Sequence, residues 1–254
     1  MDLPKTPSFR LDGRKALVTG AGRGLGLAMA AALAEAGAEV LLTARTASEI
    51  EAAAEAIRAG GGSALAVALD VTDVAAVEAV VGEHGPFQVL VNNAGMNRPA
   101  HLVDVTEENY DAVAGVNIRA ALFVAKAVAT NLIAAGLPGS IIHIGSQMGH
   151  VGGAKRSVYC ATKHAIEGMS KSMAWELGPH DIRVNTICPT FIETALTRPS
   201  LDDPDFMAEV NSKIALGRIG RTEDVMGAVI FLASDASALV TGSALMVDGG
   251  WTAA

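Results

Sequence analysis

The sequence predicts an α/β protein, a single doubly wound domain in which a seven-stranded parallel sheet is flanked by helices on both faces. Seven short runs rich in Val, Leu and Ile recur along the chain, each apolar at nearly every position, and alanine-rich stretches with helical spacing separate them. A strand covered on both faces reads as a continuous apolar run, whereas a half-exposed strand alternates. The second observation is size. The chain has 254 residues, half of them hydrophobic, enough for one full core, and α/β sheets of this length commonly form one domain.

The strands are expected at KALVT from Lys15, EVLLT from Glu39, ALAVAL from Ala64, QVLV from Gln88, IIHIG from Ile141, IRVNTI from Ile182 and SALMV from Ser243. In the first helix Leu25, Met29, Ala32, Leu33 and Ala36 recur at helical spacing, and Gly37 stops the turn. Further helices are expected at about 46–59, 73–82, 106–135, 157–177 and 222–233. Residues 1–10, MDLPKTPSFR, carry two prolines and no apolar secretory core, so they read as a loose leader before a domain spanning 11–254. The stretch at about 190–215, rich in Pro, Asp and Thr, reads as an irregular mobile flap over a site.

Composition narrows the class of function. The mean hydropathy of +0.36 comes from short runs, none approaching the ~20 uninterrupted apolar residues of a membrane span, so no membrane partner is expected. A net charge of −8 and a pI near 5.2 repel a phosphate backbone, and no Lys/Arg run reverses that locally. The two cysteines, Cys160 and Cys188, form no CxxC pair and no Cys/His cluster in the sequence, so no disulfide framework and no metal site is expected, and a reducing cytoplasm fits.

The first strand runs into Thr19-Gly20-Ala21-Gly22-Arg23-Gly24-Leu25-Gly26 and then a helix. Such a loop allows a tight turn, lets backbone N–H groups approach a pyrophosphate, and aims the positive end of the helix dipole at it. A bare βα turn is the bland alternative; the strand before and helix after favour a dinucleotide. An acidic residue at the end of the second strand would bind an adenosine ribose hydroxyl. Here that strand ends in Thr43-Ala44-Arg45-Thr46, and Arg23 lies in the glycine loop. Two guanidinium groups suit a 2′-phosphate, so NADP(H) is favoured over NAD(H), the other reading being two solvated side chains. Asp70, followed by Val71, accepts from an adenine amino group on one reading and serves the turn before Thr72 on the other.

Tyr159 and Lys163 lie four apart on an expected helix and so share a face. An ordinary phenol, with a pKa near about 10, is a poor base at neutral pH; a neighbouring ammonium favours its phenolate. Tyr159 is then placed to protonate an alkoxide as hydride arrives, or to take an alcohol proton in the reverse direction. Ser146, at the end of the fifth strand, can hold the substrate oxygen. Taken singly, each has a structural reading: half-buried aromatic, surface charge, turn former.

These motifs, TGAGRGLG from Thr19, VNNAG ending at Gly95, Asn117 in AGVNIRA, Ser146, and YCATK from Tyr159 to Lys163, resemble the short-chain dehydrogenase/reductase family in order and separation. The resemblance covers about Leu11 to Gly250 and implies a Rossmann-type fold, an NAD(P)-dependent oxidoreductase acting on a small carbonyl or alcohol, and a homotetramer. It implies catalytic roles for Asn117, Ser146, Tyr159 and Lys163, with Lys163 also on the nicotinamide ribose and Asn117 holding a water in a proton relay. Dinucleotide contacts are implied at Leu25, Val71, Asn93, Ala94, Gly95, Pro189, Ile192 and Thr194. One departure is plain: Thr190 stands where the family usually has glycine, so the flap is expected to leave the strand differently.

Around the reacting carbon the sequence places Arg98, Ser146, Met148, His150 and Phe191. Arg98 is either a carboxylate or phosphate anchor or a surface ion pair. His150 reads as a loop residue rather than a ligand or second base, and the methionines as packing. The wording around NNAGMNRPA and LMVDGG is closest to the sugar-acid and polyol branch, such as gluconate 5-dehydrogenases. The alternatives are a 3-oxoacyl-carrier-protein reductase and, from another class, a non-catalytic NADPH sensor. A methyltransferase is disfavoured, because Arg45 stands where an acidic residue is wanted.

Overall fold

In the computed structural model, which describes residues 1–195 and 197–253, the chain forms one seven-stranded parallel sheet in the order β3-β2-β1-β4-β5-β6-β7. The strands are β1 (Lys15–Thr19), β2 (Glu39–Ala44), β3 (Ser63–Ala68), β4 (Val89–Asn92), β5 (Gly139–Ile144), β6 (Ile182–Pro189) and β7 (Ala244–Val247). Each falls within two residues of its expected place. Within a strand, neighbouring residues serve opposite layers. Ala16, Val18, Val89, Val91, Ile142 and Ile144 face one core, while Leu17, Leu90 and Ile141 face the other. That is why the strands read as unbroken apolar runs.

The helices are α1 (Gly24–Glu35), α2 (Ala47–Ala59), α3 (Val74–His84), α4 (Glu107–Ala114), α5 (Ala121–Ala135), α6 (Ser157–Leu177), α7 (Arg198–Leu201), α8 (Pro204–Ser212) and α9 (Glu223–Ala233). One layer is built by Met29 and Leu33 of α1, Ile50 and Ile57 of α2, and Val225, Val229 and Leu232 of α9. The opposite layer takes Val77 and Val81 of α3 and Val124, Val128 and Leu132 of α5. The run expected at 106–135 is helical throughout, but Gly115–Ala120 between α4 and α5 is a π-helical segment. Glu107–Ala135 is long and apolar enough to cross a membrane by length and composition; here it packs as a core helix on α3, β4 and β5.

Residues 1–10 are exposed and carry no regular element, and Leu11, fully buried, is the first core residue. The irregular stretch expected at about 190–215 needs correction in part: α7 and α8 occupy half of it, α8 capped by Asp203, which accepts from the N–H groups of Asp205 and Phe206. Pro204 and Asp203, which suggested irregularity, start α8, proline at the first helical position and aspartate at the cap.

The chain leaves β1 for β2 and β3 on one side and returns to β4 on the other, so β1 and β4 are neighbours across the point where strand order reverses. Loops leaving the carboxyl ends of such strands diverge and open a crevice, the place where ligands bind in open α/β sheets.

Candidate active site

The glycine loop lies on one wall of that crevice. Gly20 and Gly24 adopt positive φ angles of 65° and 56°, a region costly for residues with a Cβ. Gly26 is held by contact: a Cβ there would stand 2.2 Å from the Gly20 carbonyl oxygen. Helix α1 begins with no side-chain cap and no acidic residue in its first turn. Its first N–H groups therefore face the crevice as a backbone cradle for an anion. Leu25 packs against the core, leaving only its backbone for the loop. Thr194, from the far side of the crevice, lies over the loop, its Cγ2 3.5 Å from a Cβ built at Gly24. These features fit a pyrophosphate.

The VNNAG segment is stitched to this loop. Thr19 Oγ1 accepts from the N–H groups of Asn93 and Ala94, both at 3.0 Å, and Asn93 Nδ2 donates to the carbonyls of Thr19 (2.8 Å) and Gly20 (3.1 Å). The Asn93 side chain thus positions the cradle. Asp70 accepts from the Thr72 N–H at 2.9 Å and hydroxyl at 2.7 Å, and those bonds, helped by Arg45, hold its carboxyl below the usual range. One oxygen of Asp70 is thus committed to the turn at Thr72. Val71 packs its side chain into the core. Arg45 and Arg23 are both exposed, on loops leaving adjacent strands; Arg23 reaches Glu49 at 3.4 Å.

The catalytic candidates gather at the ends of β4 and β5. Ser146 follows β5; its hydroxyl donates to Gln147 Oε1 at 2.7 Å and accepts from the Met148 N–H at 3.1 Å. Lys163, one helical turn beyond Tyr159 on α6, donates to the Ile144 carbonyl at 2.6 Å and lies 5.6 Å from the centre of the Tyr159 ring. Lys163 is buried and the tyrosine half-buried. Asn117 sits in the π-helical segment, where Oδ1 accepts from the Met96 N–H (2.9 Å) and Nδ2 donates to the Met96 carbonyl (2.9 Å) and to Thr162 Oγ1 (3.1 Å). Thr162 in turn donates to the Tyr159 carbonyl at 2.8 Å. The side chain of Asn117 is thus a tie between the β4 loop and α6, its polar atoms spent on protein partners.

Thr190 continues the strand direction, its N–H donating to the Val247 carbonyl at 3.2 Å. It is absent from the positive-φ residues, so the backbone at this position does not require glycine. Its hydroxyl is buried with no protein partner beside Pro189, a polar atom a cofactor carboxamide can satisfy. Ile192 is buried and bridges to Gly220. Phe191 packs edge-on against Phe206 at 5.6 Å and against Trp251 at 5.8 Å, closing the far end with an aromatic wall. Met148 is buried against Gly153. Arg98 donates to Glu108 at 3.2 Å and Asn109 at 2.9 Å, so the ion-pair reading describes it.

Sequence reasoning missed Gln147, Thr162, Phe206 and Trp251. Gln147 had a signal, since it adjoins Ser146; the other three are brought in only by packing. It also treated His150 as a loop residue and Cys188 as isolated, whereas the fold places both beside Glu167.

The chain matches, over residues 20–252, the family model described as enoyl-(acyl carrier protein) reductase. It is 44% identical to the D-erythrulose reductase of Gallus gallus over 245 residues, 96% of this chain and 98% of that protein. It is 41% identical to the L-xylulose reductase of Bos taurus, with 96% and 99% covered. Its fold superposes with a TM-score of 0.93 on a gluconate 5-dehydrogenase from Burkholderia cenocepacia in complex with NADP and tartrate, at 39% identity over 97% of this chain and 98% of that one. Strand order, glycine cradle, serine and tyrosine–lysine pair, and these matches over nearly the whole chain, lead to one assignment: the protein belongs to the short-chain dehydrogenase/reductase family of oxidoreductases.

Proposed function

We propose that the protein interconverts a small polyhydroxylated ketone and its secondary alcohol with NADP(H), in the ketose and polyol branch of its family. The observation that carries the reaction type is the Ser146, Tyr159 and Lys163 set at the open end of β5, beside a backbone anion cradle. The nicotinamide, when bound, supplies or accepts hydride at the substrate carbon. Tyr159 hands a proton to the nascent alkoxide, or takes one from the alcohol, from its half-exposed position on α6. Lys163 places a fixed positive charge 5.6 Å from the centre of that ring. Ser146 donates to the substrate oxygen once it turns from Gln147, and Gln147 holds the serine until then. Thr194 Oγ1 and the α1 amides would hold the pyrophosphate, Thr190 and Ile192 the carboxamide region, and Arg23 with Arg45 the 2′-phosphate.

Two observations favour a neutral sugar over a sugar acid. Arg98, the cation expected to meet a carboxylate, is already engaged by Glu108 and Asn109. The D-erythrulose reductase shares 44% identity with the chain, against 41% for a putative 2-deoxy-d-gluconate 3-dehydrogenase and 39% for the gluconate 5-dehydrogenase. The test is a paired screen of ketoses, sugar acids, polyols and 3-oxoacyl thioesters with NADPH and NADH. Turnover of ketoses with NADPH is expected; turnover confined to acyl thioesters would replace this reading by an acyl reductase, and binding without consumption by a sensor.

We further propose a homotetramer in a reducing cytoplasm. Leu122 and Ile133 on α5, Trp175 on α6 and Leu239 are exposed apolar side chains suited to subunit contact, and both cysteines are free thiols. A light-scattering mass of four subunits is the expected result.

A further inference from the structure

Behind the catalytic serine lies a cluster that the proposed reaction does not use. Cys188 Sγ, at the end of β6, is 3.2 Å from Glu167 Oε1 and 3.6 Å from His150 Nε2, and the histidine nitrogen is 3.8 Å from the same carboxylate oxygen. These are the edges of a triangle. A tetrahedral zinc with Zn–S about 2.3 Å and Zn–N or Zn–O about 2.0–2.1 Å requires ligand–ligand edges of roughly 3.3–3.6 Å, so each side needs to move by only a few tenths of an ångström. Among the described residues, no other three His, Cys, Asp or Glu side chains meet in this way.

Three further features describe a built site. The second carboxylate oxygen of Glu167 accepts from Thr186 Oγ1 at 2.9 Å, which fixes the carboxylate and presents Oε1 to the other two groups. The space is reserved for these side chains: a Cβ at Gly145 would stand 2.6 Å from Glu167 Oε1 and 2.8 Å from Cys188 Sγ. Glu167 and Cys188 are buried while His150 is exposed, which leaves an access side and room for a fourth, exchangeable ligand. Glu167 is a buried carboxylate whose one ion-pair contact among the described residues is that exposed histidine, 3.8 Å away. A buried charge is costly unless a cation meets it.

We propose that His150, Glu167 and Cys188 form a site for one thiophilic divalent cation of the zinc class, closed by a water or an exogenous ligand. On binding, the Cys188 S–H bond breaks, its proton passes to solvent, and sulfur, imidazole nitrogen and carboxylate oxygen each form a bond to the metal. The site ties together the turn after Ser146, the turn of α6 beyond Lys163, and the residue before Pro189. Its occupation therefore clamps the segments that carry the catalytic groups. This inference stands on the cluster alone and is independent of which substrate is reduced.

The probe is Co²⁺ added to the tag-free full-length protein without dinucleotide, followed in the near-ultraviolet and visible, then displaced with Zn²⁺. One equivalent is expected, with a thiolate-to-cobalt charge-transfer band, the intense visible bands of four-coordinate cobalt, and loss of both on adding zinc. His150→Ala, at the most accessible of the three positions, should weaken cobalt affinity at least tenfold while the far-ultraviolet circular dichroism stays that of the parent. Cys188→Ser should abolish the charge-transfer band, while Cys160→Ser keeps it. Binding without a charge-transfer band, a band that follows Cys160, unchanged affinity in His150→Ala, or no binding at all overturns the proposal.

Discussion

The glycine loop after β1 and the candidate catalytic cluster around β5 and α6 both stand at the carboxyl end of the sheet but are made of different material. The cradle is backbone. Its residues are consecutive, and what matters at Gly20, Gly24 and Gly26 is φ and the absence of a Cβ. The cluster is side chain. Its members lie between residues 117 and 163, on the π-helical segment, after β5 and on α6, and their positions depend on ties such as Met96–Asn117–Thr162. Chemistry and binding should accordingly fail separately when each is altered.

The sharpest break is Tyr159→Phe. Removing one oxygen leaves the ring, the cradle and Lys163 in place, so turnover should fall by about 10²–10⁴-fold with NADPH affinity within about twofold of the parent. Steady-state rates with fluorescence titration of NADPH check this; a rate within tenfold of the parent would remove the phenol from its assigned role.

Next in size is an acid sensitivity confined to the catalytic side. His143 on β5 is fully buried with both ring nitrogens unpartnered, and burial, then the Lys163 ammonium, push it down to about 4. In the unfolded chain the ring takes a proton at about 6.5. Below that pH the unfolded state binds a proton that the folded state refuses. Stability held above 6.5 is therefore lost between about 6.5 and 4, by roughly 3 kcal/mol at the lower end. Urea unfolding across that window should show a slope that His143→Phe flattens; an equal slope in both proteins would assign the acid loss elsewhere.

Gly26→Ala is expected to spoil the cradle alone. The added methyl group would meet the Gly20 carbonyl and the Asn93 amide, costing about 1–3 kcal/mol of stability. It should raise the KM for NADPH more than tenfold, because the loop must move away from the anion. Unchanged cofactor binding would mean that the loop is not the cradle. Smallest of all is Arg98→Ala. With the guanidinium already in an exposed ion pair, a change in ketose kcat/KM of less than twofold is expected. A tenfold loss confined to anionic substrates would restore Arg98 as an anchor.

The two regions also differ in how far the sequence discloses them. The cradle is legible because strand, glycine spacing and helix are contiguous, and backbone constraints leave a direct mark on residue type. Tyr159 and Lys163 are legible because helical periodicity places them on one face. The committed side chains of Asn117 and Asp70 are not. A polar residue in a sequence does not reveal whether its hydrogen bonds go to a ligand or to its own protein, and here Thr162, Met96 and Thr72 take them. The flap shows the same limit from another side: its Pro and Asp residues read equally as loop formers or helix starters, and only the folded chain selects the second.

By itself the sequence determined the sheet, its two buried faces, the order of the elements and the chemistry available at the crevice, because periodicity and local backbone geometry act between near neighbours. Tertiary structure alone decided which distant groups meet. Residues 150, 167 and 188 come from three elements without a shared motif, and the register of β5 against β6 with α6 packed over them brings their polar atoms within bonding reach. Proximity of that kind is set by packing over the whole sheet, which no window of sequence contains.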